Sequence, residues 1–406
     1  MCGIAGAIGN GDETLRDAIA AAHAALRHRG PDAEGTWSDS QGDGMVSLTH
    51  RRLSIIDLSP EANQPMVDSQ TGNVIVFNGE IYNFAELRDE LRDAGWRFET
   101  RSDTEVLLKA YGAWGRDCVK RLRGMFAFAV WDASDRKLLL ARDRMGIKPL
   151  YYSKIWRNGV SAFVFASEVR ALLATGLVEK RIDPVALESY LWNGFVVGPH
   201  TIVQDVSLLP AGTTLGVEFD GSHSDPESFG HVKDDQTATS VEDVEEELGR
   251  AVEMRLVADV PVGVFLSGGV DSSAVATLAA DRLGGEAVKT FNVSFGETGF
   301  DESGYARSVA SALGTDHQEL RLDEVSFAAQ LESALESIDQ PTFDAINTYF
   351  VSRAVHEAGV TVALAGTGGD ELFGGYSSFR DIPAARRFAR VASSAPASIR
   401  GDRKSV

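Results

Sequence analysis

Two stretches of this sequence hold residue types suited to covalent or phosphoryl chemistry. The first is the opening, Met1-Cys2-Gly3-Ile4-Ala5-Gly6. Once the initiator methionine is removed, Cys2 carries a nucleophilic thiol and a free α-amine on one carbon. A model α-amine has a pKa of roughly 7.7–8.0, so near neutral pH part of it is unprotonated and takes up the thiol proton. One residue then acts as both nucleophile and base. Taken alone, a small apolar residue after Met1 explains Cys2 more simply.

The second stretch is Ser267-Gly268-Gly269-Val270-Asp271-Ser272-Ser273. It follows the apolar run Val262 to Leu266 and precedes the helical Ala274 to Leu283. Strand, glycine turn and helix N-terminus together make an anion site, because free backbone N–H groups and the positive helix end face the ligand. Gly268 and Gly269 let the backbone approach a pyrophosphate, and Ser267, Ser272 and Ser273 add hydroxyl donors. Asp271 would repel phosphate unless a divalent cation bridges them, which points to Mg²⁺. The loop lacks the Gly-Lys-Ser/Thr ending of a Walker A motif, and it is not GxGxxG.

Two kinds of element must position these groups. Up to about Pro210, short strands alternate with helices. The spacing of Leu15, Ile19, Ala22 and Leu26 predicts an amphipathic helix over 14–27, and Phe84 to Ala94 returns to helical spacing. Val74 to Phe77 reads as a strand ending in the turn pair Asn78-Gly79, and Met125 to Trp131 with Lys137 to Ala141 as a hairpin through Asp132 to Asp135. Such short connections predict an antiparallel α+β domain. The polar stretch 220–240 reads as a linker. Beyond it, apolar runs at Val262 to Leu266, Val288 to Phe295 and Val360 to Leu364 alternate with helices, the pattern of a parallel, doubly wound sheet.

At 406 residues the chain is long enough for two domains. Its net charge of −20 argues against nucleic-acid or anionic-membrane surfaces. The acidic run Glu242 to Glu247 reads as a solvated helix face. There is no membrane-spanning apolar run and no visible secretory signal. Cys2 and Cys118 are the only cysteines, which excludes a disulfide framework and fits a reducing cytoplasm.

The loop from Ser267 to Ser273 resembles the pyrophosphate loop of the N-type ATP pyrophosphatases. Combined with the opening Cys-Gly-Ile, the chain resembles the glutamine-dependent asparagine synthetase family along essentially its whole length. Motifs of that family stand in order: Arg27-His28-Arg29-Gly30-Pro31-Asp32, His50 to Asp57, Phe77-Asn78-Gly79-Glu80-Ile81-Tyr82-Asn83, Ser102 to Glu105, Arg123 to Ala127 and Asp370 to Tyr376. The resemblance implies an α+β N-terminal-nucleophile domain, an αββα sandwich, over 2–210 and a linker over 211–240. It implies an α/β parallel-sheet ATP pyrophosphatase domain (adenine nucleotide α-hydrolase-like) over 241–406, incomplete at its C-terminal end. It further implies that Cys2 attacks the glutamine amide, with Asn78 and Gly79 as oxyanion donors. Arg52 would pair with the substrate α-carboxylate, and Asp103, with Glu80 nearby, with the α-ammonium. Leu266, Val293, Ala365 and Gly366 would contact ATP alongside the phosphate loop, and Asp271 with Asp370 would hold Mg²⁺.

The implied reaction is amidation of aspartate with ammonia from glutamine, giving asparagine, glutamate, AMP and pyrophosphate. Glutamine, aspartate and ATP are then the substrates, the location is cytoplasmic, and a homodimer is left open. Two departures leave alternatives. Thr367 stands where the best-known synthetases have Glu, so the acceptor is aspartate or another carboxylate, sugar or peptide. The chain also stops at Val406, earlier than usual for the family, with Ser393 to Ser398 reading as an unpacked end. A truncated copy keeping only glutaminase or nucleotide binding is the other alternative.

Overall fold

The computed structural model describes residues 1–42, 44–157, 159–230, 240–295, 302–322 and 324–393. The chain divides into two compact units: Met1–Pro261 with Glu324–Thr361, and a second that begins at Val262 and resumes at Val362.

The strands of the first unit are β1 (Gly3–Asn10), β2 (Ala33–Gln41), β3 (Gly44–Arg52), β4 (Met66–Val67), β5 (Val74–Ile81) and β6 (Gly124–Asp132), then β7 (Lys137–Arg142), β8 (Tyr151–Arg157), β9 (Val160–Ala166), β10 (Ser207–Leu208), β11 (Thr213–Val217) and β12 (Glu227–Ser228). They form two 6-stranded sheets, ordered β10-β8-β9-β1-β3-β2 and β12-β11-β7-β6-β5-β4. Pairing is antiparallel throughout.

Period-two alternation sends Ile4 and Ile8 to one face of β1 and Ala5 and Ala7 to the other. Ile4, Ile8, Val46 and Leu48 meet Val76, Ala129, Trp131 and Leu140 of the second sheet in one buried cluster. On the outer face, Ala5 and Ala7 pack against Leu15, Ile19, Ala22 and Leu26. The first three of these lie on helix α1 (Asp12–Ala25) and Leu26 caps it; the helix ends two residues short of the predicted stop, where a 3-10 turn takes over at Arg27–Arg29. The second sheet is covered by α2 (Phe84–Asp93) and α3 (Asp103–Trp114) through Ile75, Phe77, Leu87, Leu91, Val106 and Leu107. The layers are therefore helix, sheet, sheet, helix, the expected αββα sandwich. Burying each such Leu or Ile contributes about 1.5–3 kcal/mol.

Two expectations need correction. Asn78-Gly79 is not a turn. It lies inside β5, with Asn78 opposite Ala127 and Gly79 opposite Phe126. A two-residue Asn-Gly turn needs positive φ at both residues, and neither has it. Glycine is required here for close strand approach, since a Cβ would sit 2.2 Å from the Met125 carbonyl oxygen. The stretch 211–240 also holds more than a linker: β11 pairs with β7, setting Leu215 against Leu140 in the core. Of that stretch, 231–239 lies outside the described residues, as does 394–398 of the predicted unpacked end.

Helices α4 (Val169–Ala174), α5 (Pro184–Asn193) and α6 (Val241–Arg255) belong to the first unit, as do two helices within Glu324–Thr361. Helix α6 opens with a capping box between Ser240 and Asp243, and its acidic run Glu242 to Glu247 is exposed as predicted.

The second unit holds β13 (Val262–Phe265), α7 (Val270–Leu283), β14 (Lys289–Phe295), α8 (Ser303–Leu313) and β15 (Asp316–Leu322). After α9 (Glu324–Ser337) and α10 (Ala345–Glu357) of the first unit come β16 (Val362–Leu364), α11 (Gly369–Phe373) and α12 (Ser378–Ser393). Its sheet is parallel, in the order β15-β14-β13-β16. The sequence pattern missed β15, because Asp-His-Gln-Glu-Leu-Arg-Leu is polar enough for an edge strand and lacks a β-branched run. Among the described residues no helix is long and apolar enough to cross a membrane.

Candidate active site

Cys2 sits just ahead of β1, half-buried, beside the end of β3. Its Sγ donates to the Leu53 carbonyl at 3.6 Å and accepts the Leu53 N–H at 3.5 Å. Arg29 Nε donates to the Cys2 carbonyl at 2.8 Å, and Arg29 Nη1 pairs with Glu168 at 2.7 Å. Burial pushes the thiol up from its usual value, against the Leu53 hydrogen bond and the charges of Lys148 and Arg52. Cys2 is thus held as a neutral thiol and needs a local base. The α-amine on Met1 is lowered to about 6 by burial.

The edge of β5 is tied to β3 by the His50 Nε2 hydrogen bond to the Phe77 carbonyl, 3.1 Å long. Backbone groups in an antiparallel ladder alternate sides. Asp143 takes both backbone groups of Phe126 (Asp143 N–H to its carbonyl at 2.8 Å, its own N–H to Asp143 Oδ2 at 3.2 Å), so Phe126 does not bond Gly79 across the ladder. The N–H groups of Phe77, Gly79 and Ile81 therefore share the edge away from β6. Phe77 N–H donates to Gln64 Oε1 at 2.6 Å and Ile81 N–H to Asp103 Oδ2 at 3.0 Å. Gly79 N–H points the same way between them. Beside it, the Asn78 side chain is 1% exposed, and its Nδ2 has no hydrogen-bond partner. A buried donor left unpaired costs about 1–3 kcal/mol, which an arriving acceptor would recover.

Glu80 and Asp103 are buried close enough to repel. Burial, then Asp103, raises Glu80 to about 7 against the pull of Lys148; burial raises Asp103 to about 6. The cap of α3 is Ser102, whose side chain accepts from Glu105 N–H, so Asp103 is not a cap. Arg52 is also buried, and its charge acts on both Cys2 and Asp103. Its Nη1 donates to the Ser59 carbonyl at 3.0 Å and Asn63 Oδ1 at 2.7 Å, and its Nη2 to the carbonyls of Ile56 and Asp57. A substrate carboxylate there would share these donors with loop 55–63. Charge interactions thus link Cys2 to Arg52 and Lys148, Arg52 to Asp103, and Glu80 to Asp103 and Lys148, with Asn78 and Gly79 adjoining Glu80 on β5.

Both raised carboxylates make the folded chain bind protons more tightly than the unfolded one. Their contribution to stability is full below about pH 4 and lost as pH rises through 6 to 7. The Glu80→Gln variant should therefore be more resistant to urea than wild type at pH 8, by up to about 3 kcal/mol, and similar at pH 4.5. A gap in urea midpoint that is the same at both pH values would refute the assignment.

Three residues of this site carried no usable sequence signal. Glu168 binds Arg29, His28 at 3.0 Å and Arg170 at 3.2 Å. Asp143 accepts the N–H of Met145, Ile147 and Lys148 and so shapes the loop carrying Lys148. Lys148 is buried, its ammonium lowered by that burial and supported by Glu80.

In the second unit the loop expected to bind phosphate joins β13 to α7. Gly268 has φ of 85°, and a Cβ there would meet Tyr305 Cβ at 2.5 Å. The serines differ from expectation. Ser267 and Ser272 hydroxyls bond each other at 3.0 Å, and they also take the N–H groups of Gly269 and Ser267, so they brace the turn. Ser273 Oγ is buried without a partner. The first N–H groups of α7 have no intrahelical acceptor, and its cap Gly269 supplies no side chain. Leu266 uses its N–H on the Phe291 carbonyl and its carbonyl on Asn292 Nδ2, leaving Asn292 Oδ1 buried and unpaired beside the half-buried Val293.

The segment after β16 closes on this loop. A Cβ on Gly366 would lie 2.7 Å from Ser272 N, and one on Gly369 would lie 2.2 Å from Asp271 Oδ2. Asp271 thus lies against Gly369, the residue before Asp370, whose own carboxylate lies toward Gly375, and Ala365 is exposed at the strand end. No cluster of three or more metal-ligating side chains occurs among the described residues. Two carboxylates suit Mg²⁺, which keeps waters and takes substrate phosphates as further ligands. Because β16 joins β13 on the side opposite β14, the loop lies at a switch point of the sheet, where such folds bind ligands.

The fold is that of an N-terminal-nucleophile amidotransferase followed by a parallel-sheet ATP pyrophosphatase unit. The family model of the glutamine amidotransferase domain matches residues 1–228, and that of asparagine synthase matches 243–405. Glutamine-hydrolyzing asparagine synthetase 1 of Bacillus subtilis is 38% identical over 90% of this chain and 57% of its own length. A putative glutamine-hydrolyzing asparagine synthetase of Methanocaldococcus jannaschii is 35% identical over 93% of this chain and 76% of its own. Amidase chry2 of Gibberella zeae is 37% identical over 87% of this chain and 54% of its own. The chain belongs to the glutamine-hydrolysing asparagine synthetase family.

Proposed function

We propose that the chain hydrolyses glutamine at Cys2 and uses the ammonia in ATP-dependent amidation of aspartate. The observation that carries this reading is the pair of oxyanion donors, Asn78 Nδ2 unpaired and Gly79 N–H on the open edge of β5. With Met1 removed, the α-amine of Cys2 takes the thiol proton, and the thiolate attacks the glutamine δ-carbon. The developing oxyanion meets the two donors, an arrangement typically worth several kcal/mol. Arg52 receives the α-carboxylate and Asp103, near Glu80, the α-ammonium. The protonated amine passes its proton to the leaving ammonia, and water then releases glutamate from the thioester.

At the second site the N–H groups of Gly268 and of Val270 to Ser272 cradle the ATP phosphates, and Leu266, Val293, Ala365 and Gly366 border the nucleoside. Asp271 and Asp370 would hold Mg²⁺, which offsets phosphate charge when bound. The aspartate β-carboxylate attacks the α-phosphorus, pyrophosphate leaves, and ammonia displaces AMP to give asparagine.

Thr367 favours a second reading with another acceptor, since threonine cannot serve as a base near neutral pH. The similarity to a fungal amidase supports it. The test is product stoichiometry on purified protein given glutamine, ATP and Mg²⁺. AMP, pyrophosphate and glutamate in equal amounts only with aspartate is the expected result. AMP with a different acceptor supports the second reading, and glutamate without AMP under every acceptor restricts the chain to glutaminase.

A further inference from the structure

Loop 55–63, whose carbonyls hold Arg52, is not part of either sheet, so something else must fix it. Asp259 does so from both sides of Ile56. Asp57 N–H donates to Asp259 Oδ2 at 2.7 Å, and Asp259 N–H donates to the Ile55 carbonyl at 2.9 Å. Asp57 itself has φ of 54°, a left-handed conformation that a non-glycine residue keeps only when its surroundings hold it. Its carboxylate accepts the N–H of Ser59 at 3.1 Å and of Arg101 at 2.7 Å. Arg101 leads directly to Ser102 and Asp103, so the same knot ties the two ends of the pocket.

Asp259 lies between α6 and β13, in the segment that runs to the phosphate loop. The end of α6 also reaches the pocket, with the Arg255 guanidinium 4.4 Å over the Tyr82 ring. Beside the knot is a cavity of about 360 Å³ lined by Ile56, Arg88, Arg101, Val257 and Asp259. The segment is thus tied to the loop by hydrogen bonds next to open space rather than by a packed core.

We propose that Asp259 is a positioning residue for glutamine, fixing through Ile55 and Asp57 the carbonyls that aim Arg52. This deepens the glutaminase reading and rests on it. The experiment compares wild type, Asp259→Ala and Asp259→Asn by steady-state glutamine hydrolysis, and by glutamine affinity in a Cys2→Ala background. Asp259→Ala should raise KM for glutamine about tenfold, with a matching loss of affinity and kcat within about threefold, since Cys2 and Asn78 are untouched. Asp259→Asn, whose Oδ1 accepts the same N–H, should stay within about twofold of wild type.

If Asp259→Ala does not fold, Asp259→Gln, with its acceptor one carbon too far out, replaces it with the same expectation. An unchanged KM in a folded variant, a fall in kcat alone, or failure of Asn to rescue would overturn the proposal. Absence of Cys2-dependent hydrolysis in wild type would instead overturn the glutaminase reading, and this inference with it.

Discussion

Cys2→Ala should lower glutamine hydrolysis by at least about 10⁴-fold while ammonia-dependent AMP formation continues. The loss is large because nothing else near the pocket can replace the thiol. The other cysteine, Cys118, is fully buried among apolar side chains, and burial pushes its thiol up to about 12. Cys2, by contrast, is half-buried and near the cationic Arg52 and Lys148 that favour its thiolate once a base removes the proton. Ammonia-dependent synthesis should survive because Asp271, Asp370 and the loop from Ser267 to Ser273 belong to a different compact unit. Glutamate release and AMP release, followed on the same preparation, check both halves. Residual hydrolysis within tenfold of wild type would remove Cys2 from its role.

Asp271→Asn should reduce pyrophosphate release about 10²–10³-fold and leave glutamine hydrolysis unchanged. Asparagine keeps the size and the contacts with Gly366 and Gly369 but removes the charge that a Mg²⁺–phosphate complex requires. The loop itself should persist, because Ser267 and Ser272 brace it independently of Asp271. Retained pyrophosphate release with the Asn variant would show that Asp370, or no side chain, carries the metal.

Where an element depended on contiguous residues, it was legible in advance. The strand, glycine turn and helix around 267–273 lie within Val262–Leu283, so periodicity and turn chemistry sufficed to place them. The face of α1 was equally plain, because Leu15, Ile19, Ala22 and Leu26 repeat at helical spacing and all end in the core. The Asn78-Gly79 pair misled because its local preference for a turn lost to pairing along β5, whose antiparallel ladder with β6 runs through Ile81 and holds the pair extended. Strand β15 was missed for the opposite reason, since an edge strand does not need a continuous apolar run.

What the sequence by itself determined is the identity of the candidate groups and the elements that carry them: a thiol at position 2, a glycine-serine loop at 267–273, a sandwich and a parallel sheet. Covalent neighbours and side-chain periodicity encode these directly. Only the tertiary structure decided which groups are free to react and in what state. It paired the Ser267 and Ser272 hydroxyls, left Asn78 Nδ2 unmet, and tied Asp57 to Asp259 across a separation of 202 residues. It also raised Glu80 and Asp103 by burying them together. Desolvation and through-space charge depend on neighbours brought together from distant parts of the chain, and no local pattern of residues records them.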